Sequence, residues 1–168
     1  MAVHDDFYQL ISVAVDCEVV LANDNGPRAS RPFISMQIAV GEPQPVHRGR
    51  VDDDGKQPIS AHRPVSVQLQ CYGDGSWDIL DALQLKLYAD GMIDLAESLN
   101  IAVLRQPRLQ DVPALLDGTK YESRAILDIE AMYTAVIEDD VGYIETVNGT
   151  VTTTPGAAPE IEFTVTLP

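Results

Sequence analysis

Residues 71–83, CYGDGSWDILDAL, run strand, glycine turn, helix, the layout that cradles phosphate in many nucleotide-binding proteins. A phosphate there would use the free backbone N–H groups of the first helical turn. The residue types oppose this. Ser76 is a natural N-cap, Asp78 and Asp81 complement the positive end of the helix dipole, and Asp74 sits in the turn itself. No Lys or Arg occurs between Arg63 and Lys86, and neither glycine-rich phosphate fingerprint is present. The turn is expected to launch a helix and to bind nothing charged.

The run Asp52-Asp53-Asp54-Gly55 suggests calcium, but three adjacent aspartates lack the alternate spacing and distal glutamate of a calcium loop. They fit the solvated tip of a hairpin. A turn centred on Asp54-Gly55 would set Arg50 opposite Ile59 and His47 opposite His62. Two facing histidines make an incomplete metal site, and His4 is far away in sequence. Cys17 and Cys71 lie on different elements at no metal or redox spacing, and are expected to be buried thiols. No nucleophile elbow, zinc-protease motif or cysteine with a plausible histidine partner occurs. Asp139-Asp140 reads better as part of a turn with Val141-Gly142 than as an acid–base pair. No catalytic, cofactor-binding or metal-ligating residue is assigned, and the chain is not expected to be an enzyme.

The elements follow from periodicity. Phe7, Leu10, Ile11, Ala14 and Leu21 fall on one helical face across residues 5–21. Residues 23–32 break regular structure. FISMQIAV (33–40) and RPVSVQLQCY (63–72) alternate as strands, the latter with Val65, Val67, Leu69 and Cys71 on one side. Between them Pro43, Pro45, Pro58 and Pro64 argue against a central strand, so a protruding hairpin or loop is expected. The helix after Ser76 carries Ile79, Leu80, Leu83 and Leu87 and should stop at Asp90-Gly91. A short helical turn (92–99) leads to a strand at 101–107, then to DVPALLDG, a structured loop with an apolar plug. Residues 121–137 alternate as a long strand, with a helical period in competition. Asn148-Gly149 signals a tight hairpin pairing Val147 with Thr150 and Ile144 with Thr153.

The order gives an α+β fold: a mainly antiparallel sheet with helices packed on one face, plus a protruding hairpin and a C-terminal β arm. The expected division is 1–147 for the domain and 148–168 for the extension. At 168 residues and 45% apolar, the chain can bury a real core. No apolar run suits a membrane span and the acidic N-terminus is not that of a signal peptide, so a soluble protein made in the cytosol is expected. Its charge of −15, with eleven basic residues against twenty-six acidic ones, rules out a surface that grips nucleic acid throughout. It does not rule out one past which DNA slides.

The last nine residues, EIEFTVTLP, place Ile161, Phe163, Val165 and Leu167 against Glu160, Glu162, Thr164 and Thr166. Such a strand must add to a sheet, its own or another chain's. Extended, residues 155–168 could span ~45 Å at ~3.3 Å per residue. In the hairpin, Arg48, Arg50 and Arg63 form a local basic cluster among acidic neighbours.

RPFISMQI, CYGDGSWDILDAL, the run from Ile101 to Tyr133 and DDVGYIETV resemble, in order and spacing, the tail or neck terminator proteins of tailed bacteriophages. The most distinctive piece is LLDG, two residues, then YESRA and LD, followed by DDVGYIE. The resemblance spans about residues 7–147. It implies a small structural virion protein forming a six-fold ring that caps the finished tail tube at the neck. Its partners would be copies of itself, the tube protein, the head-side connector or stopper and, in contractile tails, the sheath. DNA would pass through without specific binding. A head-completion or tube protein, and a small acidic hydrolase or ligand-binding domain, are the alternatives.

Overall fold

The computed structural model describes residues 3–23, 26–42, 45–116, 118–142, 146–151 and 161–166. Its elements run α1 (Val3–Ala14), β1 (Glu18–Leu21), β2 (Phe33–Val40), β3 (His47–Arg48), β4 (Lys56–Tyr72), α2 (Ser76–Lys86) and α3 (Asp90–Ser98). There follow β5 (Ile101–Asp111), β6 (Ala114–Leu116), β7 (Lys120–Glu122), β8 (Arg124–Asp140), β9 (Thr146–Val151) and β10 (Ile161–Thr166). The chain divides into two compact units, Met1–Val46 with Ala61–Ala135, and His47–Ser60 with Val136–Pro168. The expected boundary at 147/148 falls inside β9. Strands β4 and β8 contribute residues to both units.

The main sheet has the order β1-β2-β4-β8-β5, with β3 also paired to β4. Only β1–β2 is parallel among the registers described; β2–β4, β3–β4 and β5–β8 are antiparallel. The fold is α+β, mainly antiparallel, as the sequence pattern implies.

In the first unit, strand alternation turns one sheet face to the core. Ile34 sits opposite Cys71 and Met36 opposite Leu69, and all four are buried. Leu127 and Ile129 of β8 join them. Phe7, Leu10 and Ile11 of α1 and Leu80 and Leu83 of α2 complete the cluster. Each such side chain contributes about 1.5–3 kcal/mol by leaving water.

The structure corrects several local expectations. The first helix ends at Ala14, and Leu21, expected on its face, lies in β1 paired with Met36. The β-branched pair Val19-Val20 favours the strand. Asp90-Gly91 does not cap α2 but opens α3, a nine-residue helix where a short turn was expected. DVPALLDG is not a plugged loop: β6 and β7 form a small hairpin, and Leu115 is exposed. Asp139-Asp140 continues β8 instead of turning. Asn148-Gly149 does not turn either; it lies inside β9, opposite Thr164 and Phe163 of β10.

β4 runs unbroken through Pro58 and Pro64 as one arm of a hairpin, the first of the two expected alternatives, although the prolines argued against a central strand. Each proline faces a glycine. Gly41 N donates to Pro64 O and Gly49 N to Pro58 O, both at 2.8 Å. A Cβ on Gly41 would stand 2.9 Å from Pro64 Cγ, and one on Gly49 2.6 Å from Pro58 Cγ. Proline cannot return the ladder bond. The residue before each proline supplies it instead: Gln57 Nε2 donates to Gly49 O at 2.9 Å, and Arg63 Nη2 to Gly41 O at 3.4 Å.

Candidate functional site

The turn at residues 73–76 is closed by protein at Gly73 and open at Gly75. Gly73 N donates to Ser123 O at 2.9 Å, and a Cβ on Gly73 would meet Arg31 Cβ at 3.0 Å. Ser76 is not the N-cap. Gly75 holds that place at φ 75°, without a side-chain cap bond, and the buried Ser76 hydroxyl pairs with that of Ser123 at 2.9 Å.

The aspartate run forms the hairpin tip, in a register different from the one expected. His47 pairs with Ser60, not His62, and Arg48 rather than Arg50 faces Ile59. Gly55, at φ 76°, follows the turn instead of sitting in its centre, which lengthens the loop and shifts the partners. Asp52 Oδ1 accepts from the backbone N–H groups of Asp54 and Lys56, so this carboxylate orders the tip. Among the described residues no group of three or more His, Cys, Asp or Glu is arranged to hold a metal ion. His62 Nδ1 lies 3.1 Å from Thr134 Oγ1.

Cys17 and Cys71 are free thiols, and Cys17 is half-buried rather than buried. Burial pushes the Cys71 thiol up to about 12, with the neighbouring Cys17 adding to the rise. Burial also raises Cys17. A cleft of about 660 Å³ in the first unit is lined by the Cys17–Glu18 end of β1, Arg31, Asp78, Ile79 and Lys86.

The three arginines singled out from sequence divide. Arg48 and Arg50 are exposed on the hairpin, Arg48 reaching Gln57 at 3.5 Å. Arg63 belongs to the other unit and is committed there, to Gly41 O and to Tyr133 Oη at 3.4 Å. The C-terminal strand β10 pairs antiparallel with β9 of the same chain, Ile161 opposite Val151 and Val165 opposite Val147. Thr164 Oγ1 donates to Asn148 Oδ1 at 2.8 Å. Leu167 lies outside the described residues.

Sequence reading missed two features. Glu122, which is buried, is clamped by Arg28 (3.1 and 3.2 Å) and by Arg31, fastening the segment before β2 to β7. On the sheet face away from the core, Phe33 and Tyr72 stack at 5.1 Å, with Arg28 over Phe33 and Arg124 over Tyr72. A polar ladder continues from there. Tyr72 Oη and Arg124 Nη2 both donate to Gln70 Oε1, Gln70 Nε2 donates to Gln68 Oε1, and Gln68 Nε2 donates to Asp128 Oδ1. Its signal was the polar half of each alternating strand, Ser66-Gln68-Gln70 against Val65-Val67-Leu69.

What the geometry offers is a closed core with a bare sheet edge in one unit, and a hairpin and a two-stranded ribbon in the other. The family model for the phage neck terminator protein matches residues 2–156. The chain belongs to the phage neck terminator protein family. That match runs on past residue 147, where the sequence resemblance ends, to residue 156. No curated protein matches the chain. Members of this family are structural proteins of the virion neck, not enzymes, and work by contact with other phage head and tail proteins. No helix among the described residues is long and apolar enough to cross a membrane.

Proposed function

We propose that six copies of this neck terminator form a ring that caps the completed tail tube, stops its growth and docks to the head-side connector or stopper. In a contractile tail the ring also meets the last sheath subunits. The contacts between copies are heterologous, one surface of a subunit against a different surface of the next, as ring closure requires. The central opening passes DNA without holding it.

The observation that carries this reading is how the cations are used. In a family of neck proteins, this chain carries −15 and ties five of its eleven basic side chains down internally. Arg28 and Arg31 go to Glu122, Arg63 to Gly41 and Tyr133, Arg105 to Glu130 and Arg124 to Gln70. Six copies would carry roughly −90 in all, a field that repels a polyanion wherever it borders the channel. The exposed Arg48 and Arg50 stand outside these pairings, and in this reading the hairpin meets an acidic face of the next subunit or lines the lumen. The C-terminal arm adds to a partner's sheet.

Negative-stain imaging of the purified protein separates the outcomes: rings support the proposal, indefinite filaments point to a tube protein, and monomers at every concentration contradict it. Reversing both charges, Arg48→Glu with Arg50→Glu, should lower ring assembly and particle yield. Unchanged assembly and yield would remove the hairpin from the interface.

A further inference from the structure

The main sheet ends on β5, whose outer edge meets no strand among the described residues. Bare edges invite another strand unless the sequence blocks them. The second half of β5 is blocked: its register with β8 breaks between Val103 and Arg105 and again between Arg105 and Arg108, around Pro107. The three residues before the first break, Ile101–Val103, carry none of these devices, and Leu104 stands at the break itself. Leu104 is 56% exposed there, and Tyr88 and Ile93 are exposed nearby in sequence and lining. Two hollows share Ile101 and Ala102 in their walls. One, about 250 Å³, includes Tyr88, Ile93 and Ala96; the other, about 320 Å³, includes Leu104, Met132 and Thr134. A strand laid along an edge sends alternate side chains to opposite faces, and hollows beside the same short segment suit that alternation.

From this we infer that the Ile101–Leu104 edge of one copy receives the β10 edge of the next copy in the ring. Three observations select that occupant. The β9–β10 ribbon has two strands of six residues and pairs with no other strand among the described residues. A ribbon that short is marginal alone and gains by acquiring a third strand. Charge is complementary as well. Residues 146–168 contain Glu160 and Glu162 and no Lys or Arg. Just past this edge β5 carries Arg105, paired with Glu130, and the exposed Arg108, which has no ion-pair partner among the described residues. Finally, donor and acceptor are different surfaces, so the contact is head-to-tail and propagates around a ring.

This inference rests on the ring reading, and crosslinking separates their failures. Two differently tagged chains, Leu104→Cys and Thr164→Cys, are mixed, assembled and treated with a short bismaleimide, with the parent chain as control for Cys17 and Cys71. The expected result is a crosslinked heterodimer from the mixture, and a ladder up to six chains from the doubly substituted protein. Rings that form without the mixed crosslink, or a crosslink confined within single chains, overturn the β5–β10 contact and leave the ring intact. Crosslinking of either site only to an added tube or sheath protein also overturns it. Monomers throughout overturn both readings. As a second variant, Leu104→Asp, at an exposed position, should keep the parent's circular dichroism and raise the assembly midpoint about tenfold, or about 1.4 kcal/mol. An unshifted midpoint contradicts the docking site.

Discussion

Glu122 shows how a single residue fixes a segment that periodicity could not place. Residues 23–32 have no apolar repeat, yet Arg28 and Arg31 fasten that segment through one buried carboxylate. Both arginines are about half exposed, which screens the interaction. Glu122→Gln should therefore cost about 1–2 kcal/mol of stability, below the full value of a buried pair. A urea unfolding midpoint equal to the parent's would contradict the clamp. Cys71 makes a second prediction. Its thiol is pushed up to about 12 in the folded chain against the ordinary value of 9.0. On raising pH from 9.0, the unfolded chain ionises first, so stability should fall through the window from 9.0 to about 12 and be flat below it. Cys71→Ala should lessen the fall. Equal slopes for parent and variant, followed by chemical unfolding at each pH, would contradict the assignment.

At the scale of elements, what could be read in advance depended on how local the cause was. β2, β8 and the apolar stripe of α2 followed from residue spacing alone, because burial imposes that spacing directly. The switch from α1 to β1 did not, since the helical period runs on to Leu21 while pairing with β2 claims residues 18–21. Asn148-Gly149 carried a strong local turn signal that pairing with β10 overrode. The prolines of β4 were read as strand breakers because their remedy is remote in sequence: a glycine opposite and a neighbouring side chain for the orphaned carbonyl. Those Gly–Pro pairs are testable. Gly41→Ala should destabilise by roughly 1–3 kcal/mol through overpacking against Pro64. Adding Pro64→Ala should recover most of the loss, a strongly non-additive cycle. Simple additivity in thermal or urea unfolding would show that the pair is not coupled. The candidate interface was half legible by the same logic. The exposed Arg48 and Arg50 and the arm could be named from sequence, while the β5 edge could not, because only strand order reveals which strand is last.

For the whole molecule, charge and assembly decide function. With −15 per chain and eleven basic side chains against twenty-six acidic ones, the protein should not retain duplex DNA at about 0.15 M salt, where surface charges are screened beyond ~8 Å. A clear gel shift under those conditions would contradict a channel that lets DNA slide. The central claim is that this chain acts through its edges as one member of a closed ring at the neck of the particle. It is tested most directly by cryo-electron microscopy of virions, averaged at the head–tail junction. The account predicts one ring of six copies there, between tube and connector, with β10 of each copy against β5 of its neighbour. A junction lacking this chain, or holding it in an open stack with β10 touching no other subunit, would contradict it.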